Sequence, residues 1–341
     1  MSHYSVRLSL SLVLAAALAA PGPALADVAV THPFVGVTHI ERTQVSPRLL
    51  SMHIIQIDLK APGIRFLVTP PGGPMDTVKE TTRQFLTREG AQIAVNAHYF
   101  EPWPPPNPDT GAADLVGLAA SEGKVCSPFD ASPPKPYAIR PNAPALNIDA
   151  ANRATIVHRN MSDPAGRTVA EPVTLYNAVA GNEQILTGGE NTAGAGSWHN
   201  TLNPHTVIGL APASVLVIFT VDGRRPGVSG GMTAREVADL LRSDYGVTDA
   251  INLDGGGSTT LCMADPVPRV VNVPCGINNV AGTERAVGSN LTVFARRPEP
   301  AAATPPVAGI LIVCLLAGGA LTILVWHRMK RRSPSAGAGQ P

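Results

Sequence analysis

One stretch forces this chain to bend hard: Asp249-Ala250-Ile251-Asn252-Leu253-Asp254-Gly255-Gly256-Gly257-Ser258-Thr259-Thr260-Leu261. Each glycine loses extra backbone entropy on folding, so three in a row are unfavourable inside a strand or helix. They are tolerated where the backbone must turn sharply or let another group approach closely. The apolar run before them reads as a strand, and Asp254 stands at its end. An acid at the mouth of such a turn marks a candidate site, although Asp-Gly by itself is also an ordinary turn signal.

The flanking sequence supplies more regular elements. Residues 214–221 form a continuous apolar run that reads as a buried strand ending at Asp222-Gly223-Arg224-Arg225. Thr233 followed three residues later by Glu236 is a capping box. It opens a helix with Val237, Leu240 and Leu241 on its apolar side and Gly246 at its end. Two strands joined by one helix make a strand–helix–strand unit. If the strands run parallel, Asp222 and Asp254 emerge on the same sheet edge, where many α/β proteins bind ligands. Upstream, residues 53–59 and 64–69 read as neighbouring strands across the Ala61-Pro62-Gly63 turn. Residues 77–89 read as helical, 91–95, 154–157, 174–178 and 206–210 as strands, and 291–294 as the closing strand. With 33 prolines and 32 glycines, the chain suits short elements joined by many turns. The expected fold class is α+β or α/β: a mixed central β-sheet with helices packed on it.

The two ends carry a different message. Arg7, an apolar stretch over 8–20 and Ala24-Leu25-Ala26 have the three parts of a signal peptide, here residues 1–26. Residues 307–326 are uncharged and long enough for a transmembrane helix. The basic run 327–332 that follows predicts a cytoplasmic tail over 327–341. Pro298-Glu299-Pro300 ahead of this segment leaves a cleaved sorting signal open as the alternative. The expectation is an extracytoplasmic body over 27–297, a Pro/Ala linker over 298–306 and a single-pass membrane anchor. The body is slightly acidic, which argues against nucleic acid as a partner. Outside the apolar segment the cysteines are Cys126, Cys262 and Cys275. In an oxidising compartment Cys262 and Cys275 are the expected disulfide, closing a short loop for ~3 kcal/mol. Oligomeric state is open.

The residues Asn252-Leu253-Asp254-Gly255-Gly256-Gly257-Ser258-Thr259-Thr260 resemble the signature of the phosphodiester glycosidase family, which includes bacterial exopolysaccharide-associated proteins. Val95-Asn96-Ala97-His98-Tyr99-Phe100, His205-Thr206-Val207-Ile208-Gly209, Val221-Asp222-Gly223-Arg224 and Gly231-Met232-Thr233 agree with it in order. The resemblance spans roughly residues 92–294. Ala97 and His98 depart from small glycines, and His205 from a usual arginine. The resemblance implies hydrolysis of a sugar linked through its anomeric carbon to a phosphodiester, on cell-surface or exported glycans. A non-catalytic binder of anionic glycans is the alternative.

Such chemistry needs a seat for a phosphodiester and stabilisation of positive charge at the anomeric carbon. Gly255, Gly256 and Gly257 with Ser258 suit a backbone anion nest. His205, Thr206 and Arg224, or Arg225, add polar or positive groups. Asp254 and Asp222 are the candidate catalytic carboxylates. Asn96, His98 and Asn252 are candidate substrate ligands, with a purely structural role open for both histidines. Glu236 reads as a helix cap. Ser258 lacks the G-x-S-x-G elbow, and no Walker sequence follows the glycines. No cofactor is expected, and a cation bridged by Asp222 and Asp254 has no calcium-loop spacing behind it.

Overall fold

The computed structural model describes residues 27–102, 111–133, 139–195 and 200–299. The described residues from 27 to 297 belong to one compact unit. They are mostly β-structure, with only two α-helices among them. The helix-packed α+β or α/β expectation is therefore corrected: sheets pack on sheets, and the two helices each cover an outer face.

The largest sheet has eight strands, in the order Asp27–Phe34, Val37–Gln44, Leu50–Asp58, Val215–Val221, His205–Ala211, Asp249–Asn252, Glu183–Thr187 and Glu190–Asn191. Every pairing in it is antiparallel. Val215–Val221 and Asp249–Asn252 do run in the same direction, but they are not neighbours. His205–Ala211 lies between them, antiparallel to both. A second sheet orders Pro268–Val270, Leu261–Ala264, Ile93–Asn96, Asn290–Phe294 and Arg65–Val68. Arg65–Val68 therefore pairs with Asn290–Phe294 and not with the strand before it in sequence. A third sheet contains Lys124–Ser127, Ala119–Ser121, Asn177–Ala180, Ala145–Ile148 and Ala154–Val157.

Burial explains the continuous apolar runs. Along Val215–Val221, Leu216 and Ile218 join Ile55, Ile57, Ile208 and Ile251 in a core closed by Phe66, Val95, Leu261 and Val293 of the second sheet. Val217, Phe219 and Val221 face the other way, onto Val237, Ala238 and Leu241 of the helix Ala234–Tyr245. A strand covered on both faces must be apolar at every position, whichever way its neighbours run. The helix begins at a Thr233–Glu236 capping box and ends at Gly246 in the left-handed region. The shorter helix Thr82–Glu89 covers the second sheet through Leu86, against Ala94 and Cys262.

Four further expectations change. Cys262 and Cys275 are both free thiols, as is Cys126. Cys262 packs in the apolar layer under Thr82–Glu89, whereas Cys275 lies near Arg224 and Arg285, so their side chains serve different surroundings. Among the described residues no helix is long and apolar enough to cross a membrane. Residues 1–26, 298–306 apart from its first two, 307–326 and 327–341 lie outside the described residues. The single-pass anchor, the membrane as partner and the extracytoplasmic placement built on them are withdrawn.

Candidate active site

The glycine turn lies where the chain leaves the large sheet for the second one. At the end of Asp249–Asn252 the Leu253 N–H still donates to Thr206 O of the first sheet, at 2.9 Å. One residue later the Asp254 N–H donates to Ala97 O, at 2.9 Å, beside the second sheet. Asn96 secures this crossover. Its Nδ2 donates to Asp254 O at 2.6 Å, and its Oδ1 accepts from Thr206 Oγ1 at 2.7 Å and from the Thr260 N–H at 3.1 Å. Asn96 and Thr206 are completely buried and act as fasteners behind the turn.

In front of the turn is a cleft of about 150 Å³, lined on this side by Asn252, Asp254 and the three glycines. His205, Asn203 and Arg224 form another wall, and Tyr99, Phe100 and Arg285 a third. Among its described lining residues Asp254 carries the only carboxyl group. Burial pushes the Asp254 carboxyl up to about 6, although Arg285, the Ser258 hydroxyl, the Gly255 N–H and Arg224 all favour its ionised form.

Two of the amides around the glycine turn have backbone partners. The Gly256 N–H donates to Pro204 O at 2.9 Å, and the Ser258 N–H donates to Gly255 O at 3.0 Å. The glycines also provide room for cations. A Cβ on Gly256, whose φ is +57°, would stand 3.0 Å from Arg224 Nη2. A Cβ on Gly257 would stand 2.3 Å from Arg285 Nη2 and 1.8 Å from Gly276 O. The missing side chains let two guanidinium groups lie against the turn.

Arg224 is held by neutral partners only: Asn203 Oδ1, at 3.0 Å from Nη2 and 3.3 Å from Nε, and Asn279 Oδ1, at 3.3 Å from Nη1. No ion pair involves it among the described residues. Arg285, which is buried, donates from Nη1 to Ser258 Oγ at 3.0 Å and from Nη2 to Gly276 O at 3.3 Å. No local pattern in the sequence marks Arg285. It enters the site because the chain after Leu261–Ala264 folds back over the glycines.

The remaining candidates are placed as follows. Asp222 emerges at the same sheet edge but does not line the cleft. Its carboxylate accepts from Asn272 Nδ2 at 3.0 Å, from the Val273 N–H at 3.1 and 3.2 Å, and from Arg225 Nη1 at 3.2 Å. Asn272 in turn holds Thr259 O and the Leu261 N–H, so Asp222 braces the backbone beyond the glycines. His98 is fully buried: Nδ1 meets Ser289 Oγ at 2.7 Å, and Nε2 accepts from the Ala180 N–H at 3.0 Å. Burial pushes its imidazole down to about 4, so it is a neutral cross-link and not a cleft ligand. His205 does line the cleft, with Nε2 2.9 Å from Met232 O and Nδ1 2.8 Å from the Asn252 side-chain amide. Burial, aided by Arg224, lowers its pKa. The positive charge of the cleft therefore rests on the arginines. Among the described residues no group of three potential metal ligands occurs.

A phosphodiester glycosidase family model matches residues 89–294. The protein is 31% identical over 159 residues to the SPbeta prophage-derived uncharacterized protein YomE of Bacillus subtilis strain 168. That match takes in 38% of this chain and 23% of the relative, so the chain spans about a quarter of the curated protein. Among solved structures, the zebrafish N-acetylglucosamine-1-phosphodiester alpha-N-acetylglucosaminidase catalytic domain, auto-inhibited by its pro-peptide, has a TM-score of 0.54 at 20% identity. The likeness covers 80% of this chain and 83% of that one. A hypothetical protein from Synechocystis has a TM-score of 0.55 at 13% identity, covering 81% and 69%. At such identities the structures share the fold. The family match extends over most of the compact unit and includes the sheet crossover, the glycine turn and both cleft arginines, and with it the chain belongs to the phosphodiester glycosidase family.

Proposed function

We propose that the cleft hydrolyses the bond between the anomeric carbon of a sugar and the oxygen of a phosphodiester, on a glycan or sugar-phosphate substrate. The observation that carries this reading is Arg224. It is a cation on the cleft wall, held by two asparagine amides and in no ion pair with a carboxylate among the described residues. A phosphodiester anion complements it, and guanidinium is well shaped for phosphate oxygens. Arg285 adds a second positive charge beside the glycines.

Asp254 is the reacting carboxylate in this proposal. Ordinary glycosidases place two carboxyl groups around the scissile bond, one of them to protonate a poor leaving group. A phosphate ester departs as a stabilised anion, so the arginines take over that task. Ionised Asp254 then faces the developing positive charge and accepts the proton of the attacking water. Water adds to the anomeric carbon, the bond from that carbon to the bridging oxygen breaks with its electron pair leaving on the oxygen that stays bound to phosphorus, and free sugar and a phosphomonoester leave.

The test uses the full chain with a UDP-sugar or an aryl phosphodiester glycoside, following release of reducing sugar. Asp254→Asn should lower turnover by about 10²–10⁴-fold. Arg224→Gln should raise KM by about 10- to 100-fold through loss of a charged hydrogen bond. Saturable binding of these compounds with no release of sugar across a panel of sugars would refute the hydrolase and favour the non-catalytic glycan binder.

A further inference from the structure

Both ring nitrogens of His205 face oxygens. Nε2 lies 2.9 Å from Met232 O, a backbone carbonyl that can only accept, and Nδ1 lies 2.8 Å from Asn252 Oδ1. The Asn252 amide is oriented at its other end, where Nδ2 donates to Asn182 Oδ1 at 2.8 Å. A neutral imidazole carries one N–H and satisfies one of the two oxygens; an imidazolium carries two and satisfies both. With no anion in the cleft the neutral form prevails, because burial and Arg224 disfavour the charge. We infer that His205 takes up a proton when a phosphodiester anion enters the cleft, and so becomes a third cation of its wall with both acceptors already in place. This rests on the reading of the cleft as a phosphodiester seat.

The surroundings make this protonation conditional. His205 and Asn252 both line the cleft and are both buried, so a charge on the ring acts in a site shielded from water. Their acceptors are fixed by the large sheet. Asn252 pairs with Val207 on one side and Glu183 on the other, and its carbonyl accepts from the Asn182 N–H at 3.0 Å. The charged neighbours are few. Arg224, from the turn after Val215–Val221, opposes the proton. Glu236, in the first turn of the helix Ala234–Tyr245, favours it but is itself bound to Arg48 and the Thr233 N–H. Glu183 is paired with Arg140, and Asp254 and Arg285 line the same cleft. Besides burial, the obstacle is therefore the positive charge of Arg224, which a bound anion offsets. An opposite charge within ~4–6 Å moves a pKa by about 1–3 units. Because both N–H groups are committed to Met232 and Asn252, His205 acts on the anion through its charge and not through a hydrogen bond.

The assay follows the imidazole ¹⁵N and ¹³C signals of His205 in the full chain, identified by their loss in His205→Gln or, should that chain not fold, in His205→Asn. The probe is dimethyl phosphate, a monoanion that does not itself titrate near neutrality. Without it the ring should be neutral near neutrality, with one N–H. At saturation the midpoint should rise by about one pH unit or more, and two ring N–H protons should appear. Trimethyl phosphate, the neutral ester, should leave the midpoint where it was. A rise of about one unit corresponds to a tenfold gain in affinity. In the Asp254→Asn chain, which removes the cleft carboxyl group, dimethyl phosphate should therefore bind about tenfold more tightly below the two midpoints than above them. Replacing His205 in that background should abolish the pH dependence. A bound anion with an unmoved midpoint, or the same rise with the neutral ester, would overturn the proposal. A chain that takes up the proton with the anion but releases no sugar from a phosphodiester refutes the hydrolase reading alone, and failure to bind the anion refutes both.

Discussion

Replacing Gly257 by alanine isolates the reason for a glycine run at this site. The substitution adds one methyl group, with no positive φ to confuse the result. That Cβ would sit 1.8 Å from Gly276 O, 2.3 Å from Arg285 Nη2 and 2.7 Å from Arg285 Cζ. Real Cβ atoms essentially never come within 3.0 Å of a heavy atom, so the two loops must separate by more than about 1 Å. The first obstacle is backbone, which a rotamer change cannot relieve. Overpacking a well-packed interior costs ~1–3 kcal/mol, and a backbone clash lies at the upper end. For a unit of this size ~3 kcal/mol lowers the melting temperature by roughly 6–12 °C. Displacing Arg285 should also move a cation of the cleft wall, so turnover should fall with stability. The control is Gly72→Ala, where nothing lies within 4 Å of the new atom, and stability should change by less than about 1 kcal/mol. Thermal unfolding monitored by circular dichroism gives both numbers. A Gly257→Ala chain that melts with the wild type and keeps its activity would refute the close approach of Arg285.

Turnover should rise with pH through about 6, because Asp254 must ionise and burial holds its carboxyl up at about 6; a pH profile of kcat/KM with a flat acidic side would count against it. The same burial makes ionised Asp254 a cost to the fold. Its folded pKa lies above the unfolded value of 3.8, so protonation favours the folded state, and Asp254→Asn should be more stable than wild type by up to ~3 kcal/mol near pH 7, with the gap closing toward pH 4 in denaturant titrations. His53, stacked on His39, and His98 act in the opposite direction, with burial pushing both down to about 4. The unfolded chain takes up these protons from about 6.5 while the fold refuses them until about 4; their contribution is whole above 6.5 and should be lost as pH falls across that window, by up to ~3 kcal/mol each, most visibly in the Asp254→Asn background. Asp222→Ala should cost ~3–5 kcal/mol by stranding the buried donors of Arg225, Asn272 and Val273, whereas a cleft acid free of such partners would lose activity at little cost in stability.

Much of the local structure was legible in the amino-acid order. Thr233 and Glu236 form both halves of their capping box, and Gly246 ends that helix, because each bond joins residues within one turn. The strands on either side were also visible as apolar runs. Their sheet was not. A run that is apolar at every position reports two covered faces, and says nothing about which strand lies alongside. His205–Ala211 inserts between Val215–Val221 and Asp249–Asn252 and makes the sheet antiparallel, a choice settled by pairings between distant segments.

The site divides in the same way. The Asp254-Gly255-Gly256-Gly257-Ser258 order determined that a carboxyl group would stand at a sharp turn, since a bend and its flanking acid are properties of adjacent residues. Tertiary structure decided what the turn admits. It brought Arg224 and Arg285 onto the glycines, assigned Asp222 to Asn272 and Val273, buried His98 away from the cleft and kept Cys262 apart from Cys275. Each of those outcomes depends on which of several chemically similar partners is within about 3 Å, and only the packing of one sheet on another sets that distance.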